Sequence, residues 1–469
     1  MSTFEAQQLV VKSGRQAIVI GGSIAGLLAA RVLVNHFDSV IIVERDRLPL
    51  LPSSRPSVPQ ANQVHVLLTQ GQRILEQLFP GLADELTALG APTVDWVADW
   101  LILGIWGWGL RFDSGLIGRT TSRDLLEWAI RCRLAKCERL QFLAPAQVTQ
   151  LVTNSNKSQV TGVRLHVRDE IDRATQPQLK ELAADLVVDA TGRNSLTPKW
   201  LEDLGYQPPE KTVINSFLGY ASRWYQRPEK FNADWQGVTI TSKPPETGRG
   251  GVLYPVEGNR WVVTLAGVGR DYPPTDEAGF LDFARSLRSP IIYEAIAHAQ
   301  PLSPVYSYRR TENRLCHYEK LSMPDGLVVV GDAACAFNPV YGQGMTVAAL
   351  GAITLDKCLH QQFRFNKGNL KGLTERFQKR LAQVNATPWL MATGEDLRWP
   401  TTEGGQPDRM SQFMHQYIDR MMLLSLEHPK IYQTFASVVH MVKPPTAFFT
   451  PSILTQVLWQ TISRNTPEI

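Results

Sequence analysis

A glycine-rich turn near the N-terminus has the spacing of a phosphate-binding loop. Gly21, Gly22, Ser23, Ala25 and Gly26 follow the apolar run AIVI and precede a segment rich in alanine and leucine. The pattern predicts a buried strand over residues 16–20, a tight turn, and a helix that begins at Ser23. Gly21 permits the turn, the small Ser23 lets a pyrophosphate approach the backbone, and Gly26 lets helix and strand pack closely. The helix N-terminus can then bind the anion. We interpret the turn as a dinucleotide site, with an unrelated glycine-rich turn as the alternative.

An acidic residue at the end of the next predicted strand supports this site. The run SVIIV predicts a buried strand over residues 39–43, and Glu44 follows it, eighteen residues after Gly26. A carboxylate in this position can accept hydrogen bonds from both hydroxyls of an adenosine ribose. Arg45 either faces an adenine or is solvated, and the residues alone support the two interpretations equally.

A second glycine-rich segment predicts contacts with a flavin. The run GLVVV predicts a strand over residues 326–330, Gly331 and Asp332 follow it, and residues 338–345 (NPVYGQGM) precede a predicted helix over residues 343–360. A carboxylate at a strand end can accept a ribityl hydroxyl, and a positive helix N-terminus suits the anionic edge of reduced flavin. The predicted flavin-binding residues here are Gly331, Asp332, Gly342, Gln343, Gly344 and Met345.

Together these segments resemble the FAD-dependent monooxygenases of the aromatic-hydroxylase (p-hydroxybenzoate hydroxylase-like) fold. Within that group the chain looks most similar to the flavin-dependent epoxidases of polyether antibiotic biosynthesis, of the lasalocid and monensin type. The resemblance covers nearly the whole chain. It is carried by Arg55 with VPQ at residues 58–60, His65, Ser122 and Arg123 with Leu126, DLVVDATGR at residues 185–193, and GLVVVGDAACAFNPVYGQGM at residues 326–345.

The resemblance implies that the cofactor is FAD. It implies that Arg123 contacts the pyrophosphate or the ribityl chain, although a purely structural salt bridge is an alternative role for this residue. It places the backbone of Val148 beside the adenine and Asp332 at the ribityl group. Arg55 and Gln60 complete the cofactor-binding residues that it implies.

The resemblance also implies a reaction. Reduced FAD would react with O₂ to give a C4a-hydroperoxide, which epoxidises or hydroxylates an apolar substrate of secondary metabolism, with an alkene of polyketide or isoprenoid type. Because the cofactor performs this chemistry, no side-chain nucleophile is needed. His65, Gln343 and Met345 are the candidates for steadying the flavin or the peroxide, and no other catalytic residue is assigned.

The source of electrons is left open by one departure from the hydroxylases. Thr191, Gly192 and Arg193 stand where those enzymes carry an Asp-Gly motif that serves both FAD and NAD(P)H. NAD(P)H therefore either docks transiently or reduces the flavin through a separate flavin reductase.

Three other functions are compatible with the same fold. A halogenase is disfavoured because no lysine lies between Lys12 and Lys136, and because WGWG at residues 106–109 departs from the halogenase WxWxIP pattern. An FAD-dependent double-bond reductase of the geranylgeranyl reductase type is an alternative. A flavoprotein without redox turnover is another.

Aromatic residues supply material for an apolar substrate pocket. No histidine cluster has the spacing of a metal site, so none is predicted. The candidate pocket residues are Trp106, Trp108, Tyr220, Trp224, Tyr254 and Pro339.

The order of these segments predicts an α/β fold. A Rossmann-like FAD-binding domain would be interleaved with a β-sheet substrate domain and followed by a C-terminal helical region. The expected FAD-binding segments are residues 1–75, 121–197 and 311–370. The expected substrate-domain segments are residues 76–120 and 198–310, and the helical region is residues 371–469.

Composition narrows the cellular setting. The 469 residues carry a net charge of only +4, with Lys and Arg interleaved with acids, so a nucleic-acid partner is not expected. Five cysteines form no CxxC pair, which favours reduced thiols and a cytoplasmic protein. The apolar tail over residues 446–462 favours a core-packing helix over one that rests on a membrane surface.

Overall fold

A parallel sheet carries both glycine-rich segments. The computed structural model describes residues 14–167 and 178–464, with side chains up to residue 459. With strands numbered in chain order, the sheet runs β18 (Leu327–Val329), β10 (Leu186–Asp189), β1 (Gln16–Ile20), β2 (Ser39–Val43) and β6 (Leu140–Leu143). The three strands predicted from apolar runs over residues 16–20, 39–43 and 326–330 are thereby confirmed. Their residues are almost all buried, as is typical of parallel strands covered by helices on both faces.

A larger sheet draws its strands from two separate stretches of the chain. Its order is β16 (Tyr306–Tyr308), β12 (Gly219–Gln226), β15 (Arg260–Gly267), β14 (Arg249–Val256), β13 (Gly237–Ile240) and β4 (Trp100–Leu103). Neighbouring strands are antiparallel, except that β4 joins β13 in parallel. The segments rich in aromatic and β-branched residues around residues 251–254 and 261–268 form β14 and β15.

Three small sheets connect these units. They are β3 (Thr93–Asp95) with β5 (Ile117–Arg119), β7 (Ala146–Thr153) with β8 (Val160–Val167) and β9 (Gln178–Ala183), and β11 (Lys211–Ile214) with β17 (Asn313–Cys316) and β19 (Cys335–Ala336). Strand β19, in the last of these sheets, ends two residues before the segment NPVYGQGM begins.

Helices pack on the sheets and form the C-terminal region, so the predicted α/β class is confirmed. They are α1 (Ile24–Leu33), α2 (Thr69–Leu78), α3 (Leu82–Ala88), α4 (Arg123–Leu134), α5 (Thr197–Leu204), α6 (Glu277–Arg285), α7 (Ile291–Ile296), α8 (Gly344–Phe365), α9 (Leu373–Asp396), α10 (Arg409–Ser425), α11 (Pro429–Val439) and α12 (Pro451–Arg464). Within the described ranges, no helix combines the length and apolar character needed to cross a membrane.

The predicted core-packing helix at the C-terminus is α12. Phe448 and Val457 join a separate apolar core formed with α10 and α11. Leu458 and Trp459 lie on the outside of the same segment and are largely exposed. The tail therefore packs through one face only.

Candidate functional site

The turn between β1 and α1 requires glycine at two positions. Gly21 has a φ of 104°, and a Cβ there would lie 2.7 Å from the carbonyl oxygen of Ala190. A Cβ on Gly26 would lie 1.8 Å from the carbonyl oxygen of Gly21. The amide of Gly21 donates to the carbonyl of Val43 at 2.8 Å. The turn is thus held tightly against β2, and Ser23 stands at the N-terminal cap of α1.

Glu44 organises the turn from the end of β2. Its buried carboxylate accepts hydrogen bonds from the amides of Gly22 at 2.7 Å and Asp46 at 2.9 Å. Arg55 forms an ion pair with the same carboxylate at 3.1 Å. A carboxylate has about four lone-pair sites, so Glu44 retains the capacity to accept a further hydrogen bond.

An open cleft lies beside the residues that follow Glu44 in the sequence. It is lined by Arg45, Asp46, Ser57, Ala146 and Gln147. Arg45 is exposed, and its Nε donates a hydrogen bond to the hydroxyl of Ser57.

Two further residues that were predicted to bind the cofactor, Val148 and Gln60, lie close in sequence to residues that line this cleft. Val148 comes two residues after Ala146 in β7 and its side chain packs into the main core. Gln60 is half-buried in a 3-10 turn over Pro59–Asn62 and accepts a hydrogen bond from the amide of Gln63 through its carbonyl.

A buried network of charged side chains contacts the glycine-rich turn through Ser23. Arg55 donates to Glu127 at 2.9 Å, and Arg123 forms an ion pair with the other oxygen of Glu127 at 2.8 Å. The hydroxyl of Ser23 accepts from Arg123 at 2.7 Å and donates to Glu127 at 2.9 Å. The serine that replaces the second glycine of the motif is therefore part of the network.

Electrostatics keep this network charged. Burial alone would raise the pKa of Glu127, but Arg123 and Arg55 lower it below its ordinary value. The Nη1 atom of Arg123 is buried and has no hydrogen-bond partner among the described residues. Such an unpaired cationic donor beside the glycine-rich turn suits an anionic ligand. Sequence analysis did not identify Glu127, although its spacing of four residues from Arg123, which suits an ion pair on one face of a helix, was a usable signal.

The two glycine-rich segments meet in the structure. Gly331 adopts a φ of 60° at the end of β18, and a Cβ there would lie 2.7 Å from the Cβ of Ala25 in α1. Asp332 follows with 43% of its side chain exposed, and its carboxylate lies 3.9 Å from Arg193. The strand ends of β1 and β18 thus present both motifs on one edge of the parallel sheet.

Arg193 is committed to the protein itself. It donates to the carbonyl of Glu312 at 2.9 Å and to the carbonyl of Phe337 at 2.7 Å, and it pairs with the Glu312 carboxylate at 3.1 Å. The loop at residues 191–193 is therefore hydrogen-bonded through Arg193 to the segment before Asn338.

Helix α8 begins at Gly344, in agreement with the predicted helix. An added Cβ at Gly344 would meet no described atom within 4 Å, whereas Gly342 has a φ of 64° and lies against Val66. The side-chain oxygen of Gln343 is buried and has no partner among the described residues. Met345 is half-buried against the main core. The first-turn amides of this helix have no acceptor within the helix and remain available to a ligand.

The imidazole of His65 is uncharged at neutral pH. Its Nδ1 lies 3.0 Å from the carbonyl oxygen of Gln63. Burial, and then the positive charge of Arg123, lower the pKa of His65 to about 4. The imidazole is therefore neutral at pH 7.

The predicted pocket residues are not all brought together. Trp224 and Tyr254 pack in one cluster with Val64 and Val66, beside the start of α2. Tyr220 is buried in a separate small cluster. Trp106 and Trp108 are 45% and 43% exposed in the loop after β4, and Pro339 is exposed at the start of a 3-10 turn. Over residues 14–167 and 178–464, no group of His, Cys, Asp or Glu could hold a metal ion.

Comparison with known proteins establishes the relatives and the fold. No model of a known protein family matches the chain. The protein Rv3254 of Mycobacterium tuberculosis (strain ATCC 25618 / H37Rv) is 33% identical over 381 residues, which are 80% of this chain and 78% of that protein. The flavin-dependent brominase Bmp2 matches 96% of this chain and 99% of its own, with a TM-score of 0.66 and 13% identity.

Two other solved structures are similar in fold. A flavoprotein/dehydrogenase from Cytophaga hutchinsonii matches 96% of this chain and all of its own, at a TM-score of 0.67 and 15% identity. PqsL, a probable FAD-dependent monooxygenase from Pseudomonas aeruginosa, matches 89% of this chain and 98% of its own, at a TM-score of 0.58 and 16% identity. The predicted Rossmann-like flavoprotein fold is confirmed, while the closeness to lasalocid-type epoxidases stays a prediction. The chain belongs to the same family as the Mycobacterium tuberculosis protein Rv3254.

Proposed function

We propose that this chain is an FAD-dependent monooxygenase that transfers one oxygen atom from O₂ to an apolar, alkene-containing substrate. The observation that carries the proposal is the contact between Gly331 and Ala25. It joins a predicted pyrophosphate turn to a predicted flavin segment some three hundred residues later in the chain. Two such motifs on one sheet edge suit a single extended dinucleotide.

The residues of the site suit each part of FAD. The first turn of α1, with the unpaired Nη1 of Arg123, would hold the pyrophosphate. Glu44 would accept the ribose hydroxyls, and the cleft after it would take the adenine. Asp332 would hold the ribityl chain. The amides at the start of α8 and the buried oxygen of Gln343 would face the flavin ring.

Bound FAD would supply the oxygen-transfer chemistry, once reduced, and the protein would supply position and a dry environment. Because its pKa is about 4, His65 would act as a neutral hydrogen-bonding group at pH 7. Trp224 and Tyr254, packed near residues 64–66, offer an apolar wall on that side. The other proposed pocket residues stay predictions.

Isotope labelling tests the reaction. We expect the purified chain to oxidise an electron-rich alkene under ¹⁸O₂ in ordinary water and to leave one ¹⁸O atom in the product. Arg193 already donates to Glu312 and Phe337, and no nicotinamide domain is recognisable in the sequence. Turnover with NAD(P)H alone should therefore be slow, and an added flavin reductase should accelerate it. Mass spectrometry of the product with and without that reductase measures both effects.

The same reactions decide between the alternatives. A product that gains two hydrogens and no ¹⁸O would assign the chain to the double-bond reductases. Bromide or chloride in the buffer is expected to leave the product free of halogen, because no lysine lies between Lys12 and Lys136. Flavin that no reductant can bleach would indicate a flavoprotein without redox turnover.

Substitution of Asp332 tests the coupling of the reaction. We expect Asp332→Ala to lower FAD occupancy and to release more hydrogen peroxide for each NAD(P)H consumed, because a ribityl chain without this acceptor positions the ring less firmly. Peroxide and NAD(P)H are measured in the same assay. Glu312→Gln is the matched control, since Glu312 also contacts Arg193 but lies outside the proposed ribityl site. If Asp332→Ala kept full FAD occupancy and released no more hydrogen peroxide than the wild type, Asp332 would have no role in positioning the flavin.

A further inference from the structure

A buried carboxylate from the C-terminal region reaches the segment that precedes α8. Asp396, the last residue of α9, is only 2% exposed. It accepts hydrogen bonds from Asn313 at 2.6 Å, from Asn338 at 3.0 Å and 3.1 Å, and from the hydroxyl of Tyr341 at 2.7 Å. No sequence motif had marked this residue.

Two of these donors, Asn338 and Tyr341, lie in the turn that immediately precedes α8. Residues 338–342 connect β19 to α8, and Asn338 caps the 3-10 turn Pro339–Tyr341 by accepting from the amide of Val340. The amide of Asn338 itself donates to the side chain of Asn313 at 2.7 Å. Asn338 is therefore held through both its backbone and its side chain, and Asp396 is the acceptor on which both asparagines converge.

These hydrogen bonds depend on the carboxylate of Asp396, because both of its oxygens accept and neither donates. Asn313 and Asn338 each present an NH₂ group and Tyr341 a hydroxyl, and all three need an oxygen that only accepts. An amide at position 396 would turn one acceptor into a donor that faces other donors. Buried donors without acceptors are costly, so the turn would move to satisfy them.

We infer that Asp396 is a positioning residue for bound flavin: by holding residues 338–342 it aligns the first-turn amides of α8 with the flavin edge that becomes anionic on reduction. This inference rests on the proposed function. Because those amides stabilise negative charge, a displaced helix start weakens the binding of reduced FAD more than that of oxidised FAD. The consequence is a lower reduction potential, which a residue that only stabilised the fold would not produce.

The test compares four proteins: wild type, Asp396→Asn, Tyr341→Phe and Glu395→Gln. FAD dissociation constants are measured by fluorescence titration, and midpoint potentials of the bound flavin by spectroelectrochemistry. We expect Asp396→Asn to weaken the binding of reduced FAD about tenfold relative to oxidised FAD, which corresponds to a midpoint about 30 mV more negative. Tyr341→Phe removes one donor and should shift the potential less, in the same direction.

Glu395→Gln is the matched control. It removes a carboxylate from the neighbouring position of α9, where Glu395 pairs with Arg398 at 3.1 Å. Its potential should equal that of the wild type. An equal shift in Glu395→Gln and Asp396→Asn would overturn the inference, since the effect would then follow any lost charge on this helix turn.

The remaining outcomes separate the two proposals. Asp396→Asn with bound FAD and an unchanged potential would overturn the positioning role alone, even if its melting temperature fell. Should Asp396→Asn not fold, the potential of Tyr341→Phe decides in its place. A wild-type chain that takes up no FAD would overturn the proposed function and this inference with it.

Discussion

Replacing Glu127 with alanine is expected to destabilise the folded protein by about 3–5 kcal/mol, the range for removal of one partner from a buried ion pair. Glu127 accepts from both Arg55 and Arg123, and all three side chains are buried. Without it, Arg123 loses its carboxylate partner, whereas Arg55 keeps its ion pairs with Glu44 and Asp46 and its hydrogen bond to the carbonyl of Gly22. Chemical denaturation of the wild type and the variant at pH 7 measures the difference in the free energy of unfolding.

An exposed pair from the same part of the chain provides the control. Glu85 pairs with Arg133 at 2.5 Å, but both side chains are partly exposed. Glu85→Ala should cost only about 0–1 kcal/mol because solvent screens the pair. If Glu127→Ala and Glu85→Ala lowered the free energy of unfolding equally, the buried network around Glu127 would stabilise the fold no more than the exposed pair does.

The contribution of Glu127 also depends on pH. Although burial opposes ionisation, Arg123 and Arg55 lower its pKa from an ordinary value of 4.5. A carboxylate whose pKa is lower in the folded state stabilises that state fully above its unfolded pKa, and the stabilisation is lost as the pH falls. The difference between wild type and Glu127→Ala should therefore be present at pH 7 and shrink as the pH falls below about 4.5.

Glu44→Ala is expected to weaken FAD binding about 10-fold to 150-fold, from the loss of about 1.5–3 kcal/mol of charge-assisted hydrogen bonding. The loss has two parts, because Glu44 would bind ribose and already anchors the amides of Gly22 and Asp46. Titration of the apoprotein with FAD measures the combined effect. Unchanged affinity would remove Glu44 from the site.

A shorter flavin locates the effect of Glu44 within the site. FMN lacks the adenosine half of FAD, so its affinity should change little in Glu44→Ala if the carboxylate serves the ribose. Arg45→Ala is a useful companion, because Arg45 lines the adjacent cleft and contacts Ser57. A similar loss for FMN and FAD would mean that Glu44 acts by shaping the turn.

Local pattern was sufficient to predict the parts of the site that are local in sequence. The turn at Gly21 and the carboxylate of Glu44 belong to one β-α-β unit, whose spacing follows from strand and helix geometry. The start of α8 was predicted for the same reason, since glycines and a buried strand precede it. The parallel sheet then brings the strand ends together, which is why Gly331 meets Ala25.

The contacts between distant segments could not be predicted in this way. Glu127 lies 72 residues from Arg55, and Asp396 lies 83 residues from Asn313. No periodicity relates positions this far apart, so the pairs Glu127–Arg55 and Asp396–Asn313 have no signature in the sequence, unlike the spacing of four residues between Arg123 and Glu127. Trp106 and Trp108 illustrate the opposite case, since their aromatic character suggested a pocket and the structure leaves both nearly half exposed.

The dependence of the α8 start on Asp396 has a consequence for synthesis of the chain. Asp396 lies 58 residues after Asn338, and translation proceeds at about 5–20 residues per second. The turn at residues 338–342 is therefore made about 3–12 s before its acceptor. During that interval the β-α-β unit at the N-terminus has already been synthesised, so the proposed adenosine end of the site can form first. The proposed flavin end is completed only when α9 docks, so a nascent chain is expected to acquire its proposed cofactor-binding groups in the order adenosine, then flavin.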